Sequence, residues 1–413
     1  MKRRKIFKLI GAAPLVGGIA VGLAPIQSVF GAPTPALAPK RDLIKELDLR
    51  TFINAAGTYT TMTASLMQEE VMEAINASSK EFIMLNEVQD KVGVQIAKMV
   101  HAESAMVTSG AFSALTLGMA GILTGMDRDK VKRLPHRLEE AGIKSEVIIQ
   151  KAHFDGYEHA LSNTGITLVP VETADDINRV VNERTASMHF LNCNTHEGKI
   201  KHEEWIKMAR KYNLPATIDI AADVPPVSNL WRFNDMGFSF VALSGGKAIR
   251  GPQSAGILMG NKSVIDAAKL NNSPNGSTIG RGMKVNKEEM LGMYAALDNY
   301  INQDHEKEWK IWEDRVEVIS KAISKIEGIK VSVTVPPIAN HSPKINISWD
   351  KNIIKLTRMQ LGEKMRFGNP SIEIISWGKD ENSVDLTVFM LKPGQEKIVA
   401  RRLYEELSNV TFG

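Results

Sequence analysis

The chain has 413 residues, 43% hydrophobic and 24% charged, enough for a large core and two domains. Its sole cysteine, Cys193, excludes an internal disulfide and a cysteine zinc cluster. The formal net charge of +4 becomes −1 once Lys2, Arg3, Arg4, Lys5 and Lys8 are set aside, so the rest of the chain lacks the positive excess of a nucleic-acid binder.

Those basic residues precede an uncharged stretch over 9–39, rich in Ala, Gly, Val, Leu and Pro. A positive start, an apolar middle and small residues near a cut predict a signal peptide over 1–38. The Arg3-Arg4 pair resembles a twin-arginine address, which carries folded cargo out of the cytoplasm. Cleavage is expected after Gly31 or after Ala38, and Pro39 makes the second the poorer site. The expected location is periplasmic or otherwise extracytoplasmic, and no later uncharged stretch is long enough to span a membrane. Residues 39–55 form an N-terminal segment, with a short charged helix over 40–50.

From there short apolar, β-branched runs alternate with helical patterns. Val107-Thr108-Ser109-Gly110-Ala111 leads into an apolar helix through Leu123. Small residues at a helix start leave backbone N–H groups open to a phosphate, and the helix dipole helps. An ordinary serine cap is the alternative there. Strands are expected over 146–149, 167–171, 188–191, 216–220, 240–243 and 255–259, with a helix over 203–211. This rhythm predicts an α/β fold whose mostly parallel sheet is covered by helices on both faces. Ligands of such sheets lie beyond the carboxyl ends of the strands.

Several polar residues fall at those ends. His153, with Tyr157 as runner-up, is a candidate to stack on a cofactor ring; a solvated loop histidine is the alternative. Asn192 and Asn194 flank Cys193 and offer amides that could reach a phenolic oxygen, although asparagine is also common in turns. Asp219 lies inside an apolar strand. Lys247 follows the run 240–243 on the turn Ser244-Gly245-Gly246-Lys247. Burial there favours a neutral amine able to form a Schiff base, with an exposed turn lysine as the alternative. A lysine for the aldehyde and an aspartate for the pyridine nitrogen are the protein's share of pyridoxal phosphate chemistry. Ser244 could add a hydroxyl to the phosphate. The turn lacks the spacing of a nucleotide P-loop, and Ala248 stands where a magnesium-binding hydroxyl would be.

Beyond residue 287 the pattern becomes one long amphipathic helix, with Met290, Leu297, Trp309, Trp312 and Ile319 on its apolar positions. Strands over 330–333, 344–347, 371–374 and 385–388 then predict a smaller α+β domain over 310–413, after a large domain over 56–309.

The segments 53–57, Ser109-Gly110, 219–226, 244–253 and 280–289 together resemble fold-type-I pyridoxal phosphate enzymes. Among these they resemble the family of selenocysteine synthase (L-seryl-tRNA selenium transferase) and D-glucosaminate-6-phosphate ammonia-lyase. The resemblance implies Lys247 as the lysine that carries pyridoxal 5'-phosphate and Asp219 on its ring nitrogen, with Asp223 the alternative carboxylate. It also implies Ser109, Gly110, Ala111 and Ser244 near the phosphate, Arg281 and Arg366 near the substrate, and a homodimer or larger homo-oligomer. The ammonia-lyase branch is the nearer fit, although 371–377 contains no arginine to grip a substrate carboxylate. The expected enzyme acts at the α-carbon of a small amino substrate, by α,β-elimination with release of ammonia. An aminotransferase, racemase or aldolase needs the same lysine and aspartate. A non-catalytic periplasmic binding protein would need neither. No metal and no nucleic acid are called for.

Overall fold

The protein's structure, a computed structural model, describes residues 41–408. The expected signal peptide and both cleavage sites lie outside the described residues. Two units separate by their contacts, 1–50 and 51–413. The described part of the first is one short helix, Leu43–Glu46, whose start is capped by Asp42 accepting from the Lys45 N–H.

The second unit is built on seven strands. These are β2 (Ser104–Thr108), β3 (Glu146–Gln150), β4 (Thr167–Val171), β5 (Thr185–Leu191), β6 (Ala216–Asp219), β7 (Phe240–Ser244) and β8 (Gly256–Gly260), preceded in the chain by a two-residue strand β1 (Ile53–Asn54) that lies elsewhere. Their spatial order is β2-β8-β7-β6-β5-β3-β4. The pairs from β7 through β4 are parallel, while β8 runs antiparallel to both neighbours. Parallel sheets of this kind are buried on both faces. Side chains therefore alternate between two cores. Ile148, Phe190, Ile218 and Val241 pack against one layer of helices, and Val147, Ala186, Phe240 and Leu258 against the other. The helix Gly110–Thr124 is apolar on nearly all sides because it sits between the sheet and the helix Lys262–Leu270.

Past residue 286 the structure departs from the expected long helix. Two helices form, Lys287–Asn302 and His305–Ile323. Asp304 accepts from the Lys307 N–H at 2.9 Å and starts the second helix, after an extended Gln303 ends the first. The apolar periodicity ran across the break because both helices bury one stripe.

The C-terminal part holds a three-stranded antiparallel sheet, β12-β10-β9, from β9 (Ile329–Thr334), β10 (Lys344–Trp349) and β12 (Ser383–Thr387). Its inner face buries Ile345, Ile347, Val384 and Leu386 against Trp312, Ile319 and Leu403. The expected strand over 371–374 does not join that sheet. Its core, β11 (Ile372–Glu373), pairs in parallel with β1. Ile53 and Ala55 are accordingly buried in the small core.

Candidate active site

The carboxyl ends of β2, β3, β5, β6 and β7 share one edge of the sheet, because these strands run in the same direction. Asp219 ends β6 and Lys247 follows β7, its neighbour. The strands position the pair: Asp219 is opposite Ala242 in the register, and the chain then turns through Gly245 and Gly246.

The glycines are required by close approach. A Cβ on Gly246 would lie 2.6 Å from Gln253 Cα, and one on Gly245 2.3 Å from Met293 Sδ. The turn is also held from outside. Both the N–H and the hydroxyl of Ser65 donate to the Gly246 carbonyl, at 3.0 and 2.9 Å. Arg250 Nε donates to Leu66 O and Gln253 Nε2 to Thr60 O. A segment over 60–66 therefore straps the lysine turn from nearly two hundred positions away.

Lys247 is half-buried; its carbonyl accepts the Arg250 N–H at 3.0 Å, while its side-chain amine has no hydrogen bond or ion pair among the described residues. Its positive charge acts on Asp155, Asp219, Asp223 and Cys193, which converge on it. Burial pushes the Asp219 carboxyl up to about 6, against the pull of the Ala221 N–H on Oδ1 at 2.8 Å and of Lys247. Burial likewise raises Asp223 to about 7, with Asp219 adding to the shift and the Asn192 amide opposing it. Asp223 Oδ2 accepts from Asn192 Nδ2 at 2.9 Å, whereas its buried Oδ1 has no partner among the described residues. Burial pushes the Cys193 thiol up to about 12, so it is no nucleophile.

The phosphate candidates are assembled at the same edge. Ser109 precedes the helix Gly110–Thr124 without capping it; its hydroxyl donates to Ser113 Oγ instead. The first N–H groups of that helix stay open. Gly256 of β8 packs against this start, and a Cβ there would lie 2.5 Å from Gly110 C and 2.7 Å from Ala111 N. Ser244 is opposite Gly256 in the register, with a hydroxyl free of partners among the described residues. We expect Gly256→Ala to push the helix start aside. Cofactor titration should show weakened binding, and thermal melting a loss of about 1–3 kcal/mol from overpacking.

Other expected residues are placed differently. His153 is fully buried; its Nδ1 accepts the Leu191 N–H, and Phe190 packs edge-on at 4.5 Å. Burial holds its imidazole down at about 4, and it offers no face for stacking. Tyr157 on the same loop is exposed. Asn194 donates its amide to Ala152 O, and Asn192 is engaged by Asp223 and His202. Arg366 forks onto the buried Glu373 carboxylate at 2.8 and 3.1 Å. Arg281 is exposed. Asp155, Asn192 as partner of Asp223, and the strap were missed as site features. Asp155 stands two residues past His153 at a strand end, a signal the sequence did contain; the strap left none.

The buried pair of carboxyls makes stability depend on pH. Asp223 binds its proton more tightly folded than unfolded, so its contribution is present below about pH 4 and lost as pH rises through about 7. Asp223→Asn removes that penalty. Urea unfolding should find the variant more stable than the native protein at pH 8, by on the order of 1–3 kcal/mol, with little difference at pH 4.5.

No family model matches the chain. D-glucosaminate-6-phosphate ammonia lyase of Salmonella typhimurium is 24% identical over 375 residues, covering 88% of this chain and 97% of that protein. L-seryl-tRNA(Sec) selenium transferase of Alkaliphilus oremlandii is 27% identical over 297 residues, 63% of this chain and 58% of that one. Among solved structures, a D-glucosaminate-6-phosphate ammonia-lyase superposes with a TM-score of 0.77 at 23% identity, over 90% of this chain and 99% of the other. A lysine-to-alanine variant of serine palmitoyltransferase from S. paucimobilis with a bound PLP–myriocin aldimine superposes at 0.56 and 10% identity, over 87% and 88%. The fold is that of the fold-type-I pyridoxal phosphate enzymes. Within that class the chain is a homologue of D-glucosaminate-6-phosphate ammonia lyase and of the selenocysteine synthases.

The residues fit that cofactor. A free lysine amine, a buried carboxylate on the next strand and an uncapped helix start behind a glycine cradle match its aldehyde, ring nitrogen and phosphate.

Proposed function

We propose that the protein removes ammonia from an amino acid or amino-sugar acid by α,β-elimination. The observation that carries this reading is Lys247 beside Asp219 at adjacent strand ends, in a chain related over almost its full length to an ammonia lyase. Bound pyridoxal phosphate supplies an electron sink for the pair left at the substrate carbon.

This chain's residues do the rest. The helix start at Ser109, Gly110 and Ala111, with Ser244, holds the phosphate. Asp219 places a negative charge at the ring nitrogen. Lys247 Nζ, on a turn too tightly strapped to wander, takes the α-proton and returns it to the departing β-hydroxyl. The substrate thus loses its α-hydrogen and β-hydroxyl as water. Hydrolysis of the carbon–nitrogen bond takes that water back and leaves a 2-keto acid and ammonia.

The test is to incubate the loaded enzyme with D-glucosaminate 6-phosphate, D-glucosaminate and both serines. Equimolar ammonia and keto acid are expected from at least one. Amino transfer to an added keto acid, without free ammonia, would make it an aminotransferase instead. We further propose a homodimer or larger assembly acting outside the cytoplasm on a small substrate rather than on tRNA. The basic, apolar N-terminus and the −1 charge of the remainder support this. Cell fractionation and sedimentation decide it, and finding all native protein in the cytoplasm would refute the export. Among the described residues no helix is long and apolar enough to cross a membrane.

A further inference from the structure

A chain of buried side chains leads away from the paired carboxyls. Asp223, Asn192 and His202 are all buried. Asn192 follows Leu191, which is opposite Asp219 in the register of β5 and β6. Its Nδ2 donates to Asp223 Oδ2 at 2.9 Å, and its Oδ1 lies 2.7 Å from His202 Nε2. The backbone of Asp223 is held as well. Its N–H donates to Ile220 O at 3.1 Å, and its carbonyl accepts from Asn229 Nδ2 at 2.6 Å.

The direction of this chain follows from counting protons. Burial holds the His202 imidazole down at about 4, with Arg232 and Lys201 adding to the shift and Glu203 opposing it. The ring is therefore neutral near pH 7 and carries one N–H. The neighbouring His153 is neutral too, chiefly through burial. Phe190 and Phe233 pack on the His202 ring, with centroids at 4.6 and 5.5 Å. The Thr195 hydroxyl has a single proton and gives it to Asn192 O at 2.6 Å. His202 Nε2–H is thus the donor for Asn192 Oδ1. With its oxygen so engaged, the amide turns Nδ2 to Asp223. The opposite orientation would set two acceptors against each other.

Burial, first among the influences on Asp223, favours the neutral carboxyl. The Asn192 donor opposes it, Asp219 adds to it, and Lys247 opposes it. Cys193 shares this environment and keeps its thiol proton. We propose that His202 is a positioning residue which, by fixing the Asn192 amide, keeps Asp223 able to ionise inside the site. A second negative charge acting on Lys247 holds a proton on Nζ more firmly. For that consequence alone the proposal rests on the pyridoxal phosphate reading of the site, and it does not require elimination.

The test follows urea unfolding of the full-length protein across the neutral pH range, each variant paired with its own Asp223→Asn counterpart. The difference within a pair isolates the Asp223 carboxyl. The folded carboxyl keeps a proton that the unfolded chain has lost, so its contribution falls as pH rises and levels off once it ionises. In the native protein the levelling is expected at about 7. His202→Phe keeps a ring among the phenylalanines and removes the donor. It should move the levelling up by about one pH unit, a tenfold tighter proton. Asn192→Leu deletes the amide and should do the same, and it decides the matter if His202→Phe does not fold. His202→Gln, whose amide can donate, should bring the levelling back towards the native pH. In protein loaded with pyridoxal phosphate, the visible absorbance that follows the Nζ proton should titrate at lower pH in His202→Phe. An unchanged levelling in both His202→Phe and Asn192→Leu, or no recovery in His202→Gln, would overturn the positioning role. A moved levelling with an unmoved absorbance would overturn its reach to Lys247. The urea curves need neither cofactor nor turnover, so a failed lyase assay leaves them standing, and failure here leaves the lyase assay standing.

Discussion

Lys247→Ala should leave a folded protein with no covalently held cofactor. Borohydride treatment of the native protein is expected to fix pyridoxal phosphate to the peptide containing Lys247, with its visible absorbance lost on reduction. The variant should show neither. Its turn need not collapse, because the strap bonds run through Gly246, Arg250 and Gln253 and not through the lysine side chain. Activity should fall by four or more powers of ten, roughly 5 kcal/mol or more of barrier, since the residue both tethers the cofactor and moves the proton. Label on any other lysine would remove Lys247 from this role.

Asp219→Asn should keep the fold and most of the cofactor while activity drops by about two to four powers of ten. The amide can still accept the Ala221 N–H, but it carries no charge to hold a proton on the ring nitrogen. The pH dependence separates this from a packing defect. Burial has lifted Asp219 to about 6, so below that pH the carboxyl is neutral and above it ionised. Cofactor affinity in the native protein should therefore fall as pH drops through about 6. In Asp219→Asn it should be flat over that range. Full activity in this variant, with loss in Asp223→Asn, would transfer the role to Asp223.

The large sheet was legible because parallel strands buried on both faces read as continuous apolar runs. The runs at 216–220 and 240–243 match β6 and β7 to within a residue. Asp219 and Lys247 stood out for the same reason: each is a charge at the edge of such a run. What escaped notice depends on partners distant in sequence. β11 reads as a strand whichever sheet it joins, and only its pairing with β1 shows that residue 53 belongs to the small core. His153 read as a residue to stack on a cofactor ring, or as a solvated loop histidine, because nothing local reveals that Phe190 and the Leu191 N–H close over it. Arg366 read as a substrate ligand because its partner Glu373 lies on that same strand.

The parallel pairing of β1 with β11 joins residue 53 to residue 372. On a ribosome adding 5–20 residues per second, the first strand waits roughly 15–60 s for its partner to be made. During that interval its edge and the apolar Ile53 have nowhere to dock. The small core can close only when nearly the whole polypeptide has emerged, so an N-terminal fragment ending before residue 372 leaves Ile53 and Ala55 without their packing partner. Synthesis through residue 372, and not the earlier appearance of the lysine turn, is thus the event that lets the small core close.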